Sequence, residues 1–164
     1  MDNLQLSQGG SFALASGALA NGTTAGTIKT TVIVPFVIDG QFFSKAITDS
    51  IATAVVLPAV YGQPVNGSFT GGANGSTRLY GVYLDNAGAV SLFPGAIVDT
   101  AALAAGQAPL QFPAPIKGKV CIGVVRIAVT AGTTFIPGTT ALNAAGVTTT
   151  YLNLFSIPAE PLKA

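Results

Sequence analysis

The apolar stretches of this chain are short, because turn-forming residues interrupt them every few positions. Its 164 residues include 20 glycines and 10 prolines, set between runs rich in Val, Ile, Thr and Phe. β-Branched and aromatic residues favour strands, whereas Gly and Pro mark the turns between strands. The sequence therefore predicts an all-β domain, a β-sandwich or jelly-roll-like fold of about seven or eight strands with at most one short helix.

Two hairpins give the strongest local signals. In residues 30–47, two apolar runs flank Asp39-Gly40, and Asp-Gly in that setting predicts a two-residue hairpin turn. Pro35 has no N–H to donate within a sheet, which predicts an edge strand or a bulge at that position. Residues 77–93 form a second pair of runs around an Asp-Asn-Ala-Gly turn, and predict a second hairpin.

The second half of the chain predicts one helix and two further strands. Asp99 as an N-cap and Gly106 as a stop predict a short helix over 99–106. The run 119–129 is apolar on both faces apart from Arg126. Such a strand lies in the middle of a sandwich or at an interface. A last strand is predicted over 147–155.

Composition changes along the chain suggest three parts. Residues 1–27 are rich in Gly, Ala, Ser and Thr, which predicts an arm that becomes ordered only against a partner. Residues 28–156 form the single β-domain, with a long flexible loop over 61–77. Residues 157–164 contain two prolines and predict an extended tail. We expect neither a signal peptide nor a transmembrane helix, since no segment offers about 20 unbroken apolar residues.

The chain carries very little charge. Charged residues make up 8% of the sequence, against roughly 25% in ordinary soluble domains. The net charge of +1 gives no broad electrostatic footprint for nucleic acid or an anionic membrane. A surface with so few charges predicts association with copies of the same chain or with a larger assembly, and no nucleic-acid or membrane partner.

The residue types needed for common catalytic sites are scarce. The chain has no histidine, which excludes a Ser-His-Asp triad and a histidine metal cluster. Its carboxylates are widely separated, and no Asp-rich loop offers a Ca²⁺ site. We predict that the protein is not an enzyme and has no catalytic, cofactor-binding or metal-binding residues. A small two-carboxylate hydrolase assembled from Asp39, Asp49 and Asp85 stays an alternative.

The other reactive or polar side chains have structural interpretations beside functional ones. Cys121 lies within an apolar run and is predicted to be a small core residue. Lys117, Lys119 and Arg126 form a basic cluster that indicates solvated strand ends with one paired arginine, or a contact with an acidic partner surface. Tyrosines could stack on sugars, although half-buried sheet positions use them routinely. The four are Tyr61, Tyr80, Tyr83 and Tyr151.

Strand-and-turn patterns in about half of the chain resemble small virion structural proteins of tailed bacteriophages. The segments that carry the resemblance are 37–46, 119–127, 132–142 and 146–151. They contain no catalytic signature, and no functional residue can be carried over from the resemblance.

This resemblance implies a decoration, or cement, protein of a phage capsid. Such proteins are small, β-rich and often trimeric, and they sit on the outer shell where capsomers meet. The implied partners are the major capsid protein and copies of the chain itself, in a homo-oligomer expected to be a trimer. The implied location is the virion surface, after synthesis in the host cytoplasm. The alternative is a head- or tail-fibre module that binds a receptor glycan of the host.

Overall fold

The computed structural model describes residues 10–53, 56–60, 63–112 and 116–153. They form a nearly all-β fold, as predicted, with fourteen mostly short strands and one short helix among the described residues. The strands are β1 (Phe12–Ala13), β2 (Leu19–Asn21), β3 (Thr27–Thr30), β4 (Val34–Ile38), β5 (Gln41–Lys45), β6 (Ile51–Ala52), β7 (Val56–Val60), β8 (Gln63–Asn66), β9 (Phe69–Thr70), β10 (Ser76–Leu84), β11 (Val90–Asp99), β12 (Val120–Val129), β13 (Thr134–Phe135) and β14 (Val147–Leu152), and the helix is α1 (Thr100–Ala104).

A four-stranded antiparallel sheet forms the centre of the fold, in the order β11-β10-β12-β14. Every residue of β10 is buried, and so are most residues of β12. This confirms that the 119–129 run lies inside the fold. Its two-sided apolar pattern reflects burial on both faces of the central sheet.

The two faces of the central sheet are covered by different parts of the chain. On one face, two smaller sheets in the orders β1-β4-β5 and β2-β3-β6 help to enclose the main core. On the other face, Leu103 of α1 and Leu110 pack against Leu79, Tyr83 and Val124. The arrangement is consistent with a β-sandwich of many strands.

The predicted first hairpin is present as β4 and β5. Asp39 and Gly40 both have positive φ, 50° and 78°, as a two-residue type I′ turn requires. The structure places β4 between β1 and β5 and pairs it continuously with β5, so the prediction of an edge strand or a bulge at Pro35 was wrong. Pro35 is tolerated there because β1 ends at Ala13, so that no residue of β1 lies opposite Pro35 and needs its missing N–H.

The described part of the predicted N-terminal arm packs on the β-domain. β1 pairs with β4 and β2 pairs with β3, and Ala13 and Leu19 belong to the main core. Leu19 packs closely against Gly123. A Cβ atom added at Gly123 would lie 2.6 Å from the Cδ1 atom of Leu19. Residues 10–27 are therefore built into the sandwich, which the Gly- and Ala-rich composition did not reveal.

Other predicted boundaries change as well. β8 and β9 both fall within 61–77, which was predicted as a loop. The last strand ends at Leu152 within the described residues, and the predicted tail over 157–164 lies outside them. No helix in the described ranges has the length and apolar character needed to cross a membrane.

The helix prediction is confirmed. The Asp99 carboxylate accepts hydrogen bonds from the backbone N–H groups of Ala101 and Ala102, at 2.9 and 3.0 Å. The bond from Ala102 is the main reason that the pKa of Asp99 is lowered. Gly106 follows the helix with φ of 70°, in the left-handed conformation common at helix ends.

Candidate functional site

Two of the three aspartates considered for a hydrolase lie in turns. Asp39 occupies the β4–β5 turn. Asp85 opens the β10–β11 turn, where its side chain accepts from the backbone N–H groups of Ala87 and Ala89 at 3.0 and 2.9 Å. Lys119 lies 3.9 Å from the same carboxylate. Both aspartates thus have the local roles that Asp commonly takes in turns.

The third carboxylate, Asp49, fixes the loop between β2 and β3. It accepts from the backbone N–H of Thr23 at 2.9 Å and also from the Thr23 hydroxyl. These bonds and one from the Ser50 N–H lower the pKa of Asp49, so it is ionised at neutral pH. Across the described ranges, no group of three His, Cys, Asp or Glu side chains comes together.

The predicted basic cluster does not form a single patch. Lys119 donates to the Ser91 hydroxyl at 3.0 Å and lies beside Asp85. Arg126 lies on β12, seven residues after Lys119, which corresponds to roughly 23 Å at about 3.3 Å per residue of extended chain. An acidic partner surface would therefore meet these cations at separate places.

Arg78 is a buried cation that the sequence analysis did not single out. Only 5% of the residue is exposed. Its Nε atom donates to the carbonyl of Gly95 at 2.9 Å, and its Nη1 atom donates to that of Gly67 at 3.2 Å. The guanidinium carbon lies 5.7 Å from the centre of the Tyr80 ring, and burial lowers the pKa of Arg78. This residue joins β10, β11 and the loop before β9.

The cysteine and two of the tyrosines are core residues. Burial raises the pKa of Cys121 to about 11, so its thiol is protonated and confirmed as a core group. Tyr80 and Tyr83 are fully buried and cannot stack on a sugar. The hydroxyl of Tyr151 donates to the Asn21 side chain. Tyr61 lies outside the described residues.

An exposed apolar surface covers the outward side of the β1-β4-β5 sheet. Val34, Phe36 and Ile38 point into the core, so the residues that alternate with them point outward. Phe12 and Phe42 lie opposite Val37 on either side of it. The complete surface, called here the outer apolar face, consists of Phe12, Leu14, Ile33, Pro35, Val37 and Phe42.

Three residues of the outer apolar face are mainly exposed. The exposed fraction is 52% for Leu14, 59% for Ile33 and 66% for Phe42. The outward position of β5 beside Phe42 is Ser44, so the face carries no charge. Contiguous exposed apolar patches commonly mark interaction sites. The signal in the sequence was the run 33–38, which is apolar at every position and so predicts cover on both sides of β4.

A separate, concave feature is a polar groove beside the loop between β2 and β3. Its volume is about 260 Å³, and it is lined mainly by the backbone and short side chains of 21–27, together with Leu142 and Asn143. Asp49 holds this loop through Thr23. The groove offers hydroxyl and amide groups to a ligand, without a charged side chain in its lining.

Comparison of the chain with protein-family models, with curated proteins and with solved structures finds no match. The resemblance to virion proteins of tailed phages accordingly stays a prediction.

Proposed function

We propose that this protein is a structural accessory protein of a phage capsid, of the decoration or cement type. The observation that carries the proposal is the outer apolar face, because removing its exposed apolar side chains from water would lower the free energy. The low charge of the whole chain supports the same role, since little repulsion opposes close contact with another protein surface.

Covering this face would give each copy a modest affinity. Fully burying one large apolar side chain contributes about 1.5–3 kcal/mol, and Leu14, Ile33 and Phe42 each have more than half of that change available. Part of this gain is offset by the loss of motional freedom on binding. Many copies on one shell would add their contributions, and contacts that bridge neighbouring subunits would resist separation of those subunits.

The proposed partner is the major capsid protein, and the proposed location is the outside of the virion. Support for this setting comes from the resemblance of the segments 37–46, 119–127, 132–142 and 146–151 to small phage virion proteins. The first segment contains the β4–β5 turn and β5, and it contributes Val37 and Phe42 to the outer apolar face.

A receptor-binding module that recognises a host glycan is the second candidate function. The polar groove lined by residues 21–27 and Asn143 favours it, because sugars are bound through hydroxyl and amide groups. The aromatic platform common in sugar sites is the weaker part of this case, since Tyr151 is already bonded to Asn21.

Titration of purified phage heads that lack this protein tests the proposal. The full chain should bind to them saturably and should raise the temperature at which they release DNA. Serum albumin at equal concentration should do neither. Failure to bind heads, together with saturable binding on a glycan array, would favour the receptor-binding module instead.

A further inference from the structure

We infer that β5 is a self-association edge, through which two copies of the chain pair antiparallel across a two-fold axis. β5 is the last strand of the β1-β4-β5 sheet, and within the described part of the chain it pairs only with β4. Gln41, Phe42 and Ser44 of this strand are exposed, and the exposed fraction of Phe42 is 66%.

The β4–β5 hairpin fixes which backbone groups point away from β4. In a two-residue hairpin, Ile38 and Gln41 form the first hydrogen-bonded pair, and such pairs then alternate with non-hydrogen-bonded pairs. Phe42 and Ser44 therefore direct their N–H and C=O groups toward the free edge. The Leu14 N–H donates to the Pro35 carbonyl at 2.9 Å, which confirms this alternation, because Pro35 lies opposite Ser44.

One register pairs two β5 strands along their whole length. Phe42 of one copy lies opposite Ser44 of the second, so their free backbone groups form hydrogen-bonded pairs. Phe43 then meets its own symmetry mate, and Gln41 lies opposite Lys45. No like charges face each other, although β5 carries a cation.

The edge lacks the usual features that prevent such pairing. Exposed edge strands are commonly protected by proline, by a bulge or by several charges. β5 contains no proline, and it contains no bulge, since its pairing with β4 is continuous from Gln41 to Lys45. Its single charge, on Lys45, is at its end and opposes a neutral residue in the proposed register.

Pairing with a second copy would also enlarge the outer apolar face. Directly opposed residues of an antiparallel pair point to the same side of a sheet. The two outer apolar faces would therefore join into one surface on a six-stranded sheet. This extends the proposed contact function, on which it rests, by naming a second copy as a partner and by doubling the apolar surface offered to a capsid.

The pairing of two β5 strands alone buries less surface than a stable interface, which buries about 800 Å² per partner. We therefore expect a reversible dimer with a dissociation constant on the order of 10–100 µM. This two-fold pairing closes on two chains, so it predicts a dimer where the resemblance implies a trimer.

Sedimentation equilibrium of the isolated full chain tests the inference without any capsid. Ser44→Pro removes an edge N–H but none of the bonds between β4 and β5, and should leave a folded monomer by circular dichroism. Ser44→Ala keeps that N–H and should dimerise like the unaltered chain. If Ser44→Pro fails to fold, the charge variants described next decide.

Substitutions of the exposed Gln41 test the register. Gln41→Lys would oppose Lys45 twice in each dimer, whereas Gln41→Glu would create two ion pairs. From about 0.2–1 kcal/mol per cross-strand pair, we expect dissociation constants about 2- to 30-fold weaker and tighter, respectively. A monomer at all concentrations, a trimer, or equal affinities for both charge variants would overturn the inference. Loss of head binding with the dimer intact would instead count against the proposed capsid function.

Discussion

Leu19 joins the N-terminal segment to the core, and replacing it with Ala should destabilise the domain. The residue is 4% exposed and packs where Gly17 and Gly123 have no side chains. Leu→Ala changes in cores cost about 2–5 kcal/mol, depending on how well the site can close around the space left behind. Because two glycines have no side chain that could fill that space, we expect a loss of about 3–5 kcal/mol.

Urea unfolding followed by circular dichroism measures this loss, with Leu14→Ala as the matched control. Leu14 lies in the same segment but is 52% exposed, and surface changes usually stay within about 0.5 kcal/mol. Domains of this kind have total stabilities of about 5–15 kcal/mol, so the midpoint for Leu19→Ala should fall clearly below that of the control. Equal midpoints would show that residues 10–27 do not belong to the folded core.

Two further changes probe packing and charge. Gly123→Ala should lower the melting temperature, because its Cβ would come within 2.6 Å of the Leu19 side chain; an unchanged melting temperature in calorimetry would refute the close contact. The pKa values of Asp49 and Asp99 are lowered from the ordinary range, owing chiefly to hydrogen bonds from Thr23 and from Ala102, respectively. Their contribution to stability is complete above their unfolded pKa and is lost as the pH falls through the lowered folded values. Asn at both positions should therefore flatten the fall in stability below about pH 4 in acid titrations, whereas an unaltered acid profile would contradict those hydrogen bonds.

The local elements could be predicted because their signals lie within a few residues of each other. Asp39-Gly40 specifies a hairpin turn, and Asp99 with Gly106 specifies a short helix. The two-sided apolar run around Val124 indicates burial on both faces. Each of these features depends on backbone preferences or on periodicity, which the sequence shows directly.

The pairing of distant segments could not be predicted. Leu19 reaches Gly123 across about a hundred residues, and nothing in the composition of 1–27 indicates that contact. Arg78 is held by the carbonyls of Gly67 and Gly95, which no side-chain pattern can reveal. The outer apolar face likewise depends on three strands coming together, although the unbroken apolar run 33–38 was a usable signal.

The claim that the outer apolar face is the functional contact surface is tested most directly by head binding of two matched variants. Ile33 lies on the face and is 59% exposed, whereas Ile97 lies on β11 and is 51% exposed. Asp at either position should leave the fold intact, since neither side chain is buried. In a titration of purified heads lacking the protein, Ile33→Asp should weaken binding at least tenfold, and Ile97→Asp should bind like the unaltered chain. Equal binding by all three proteins would contradict the account.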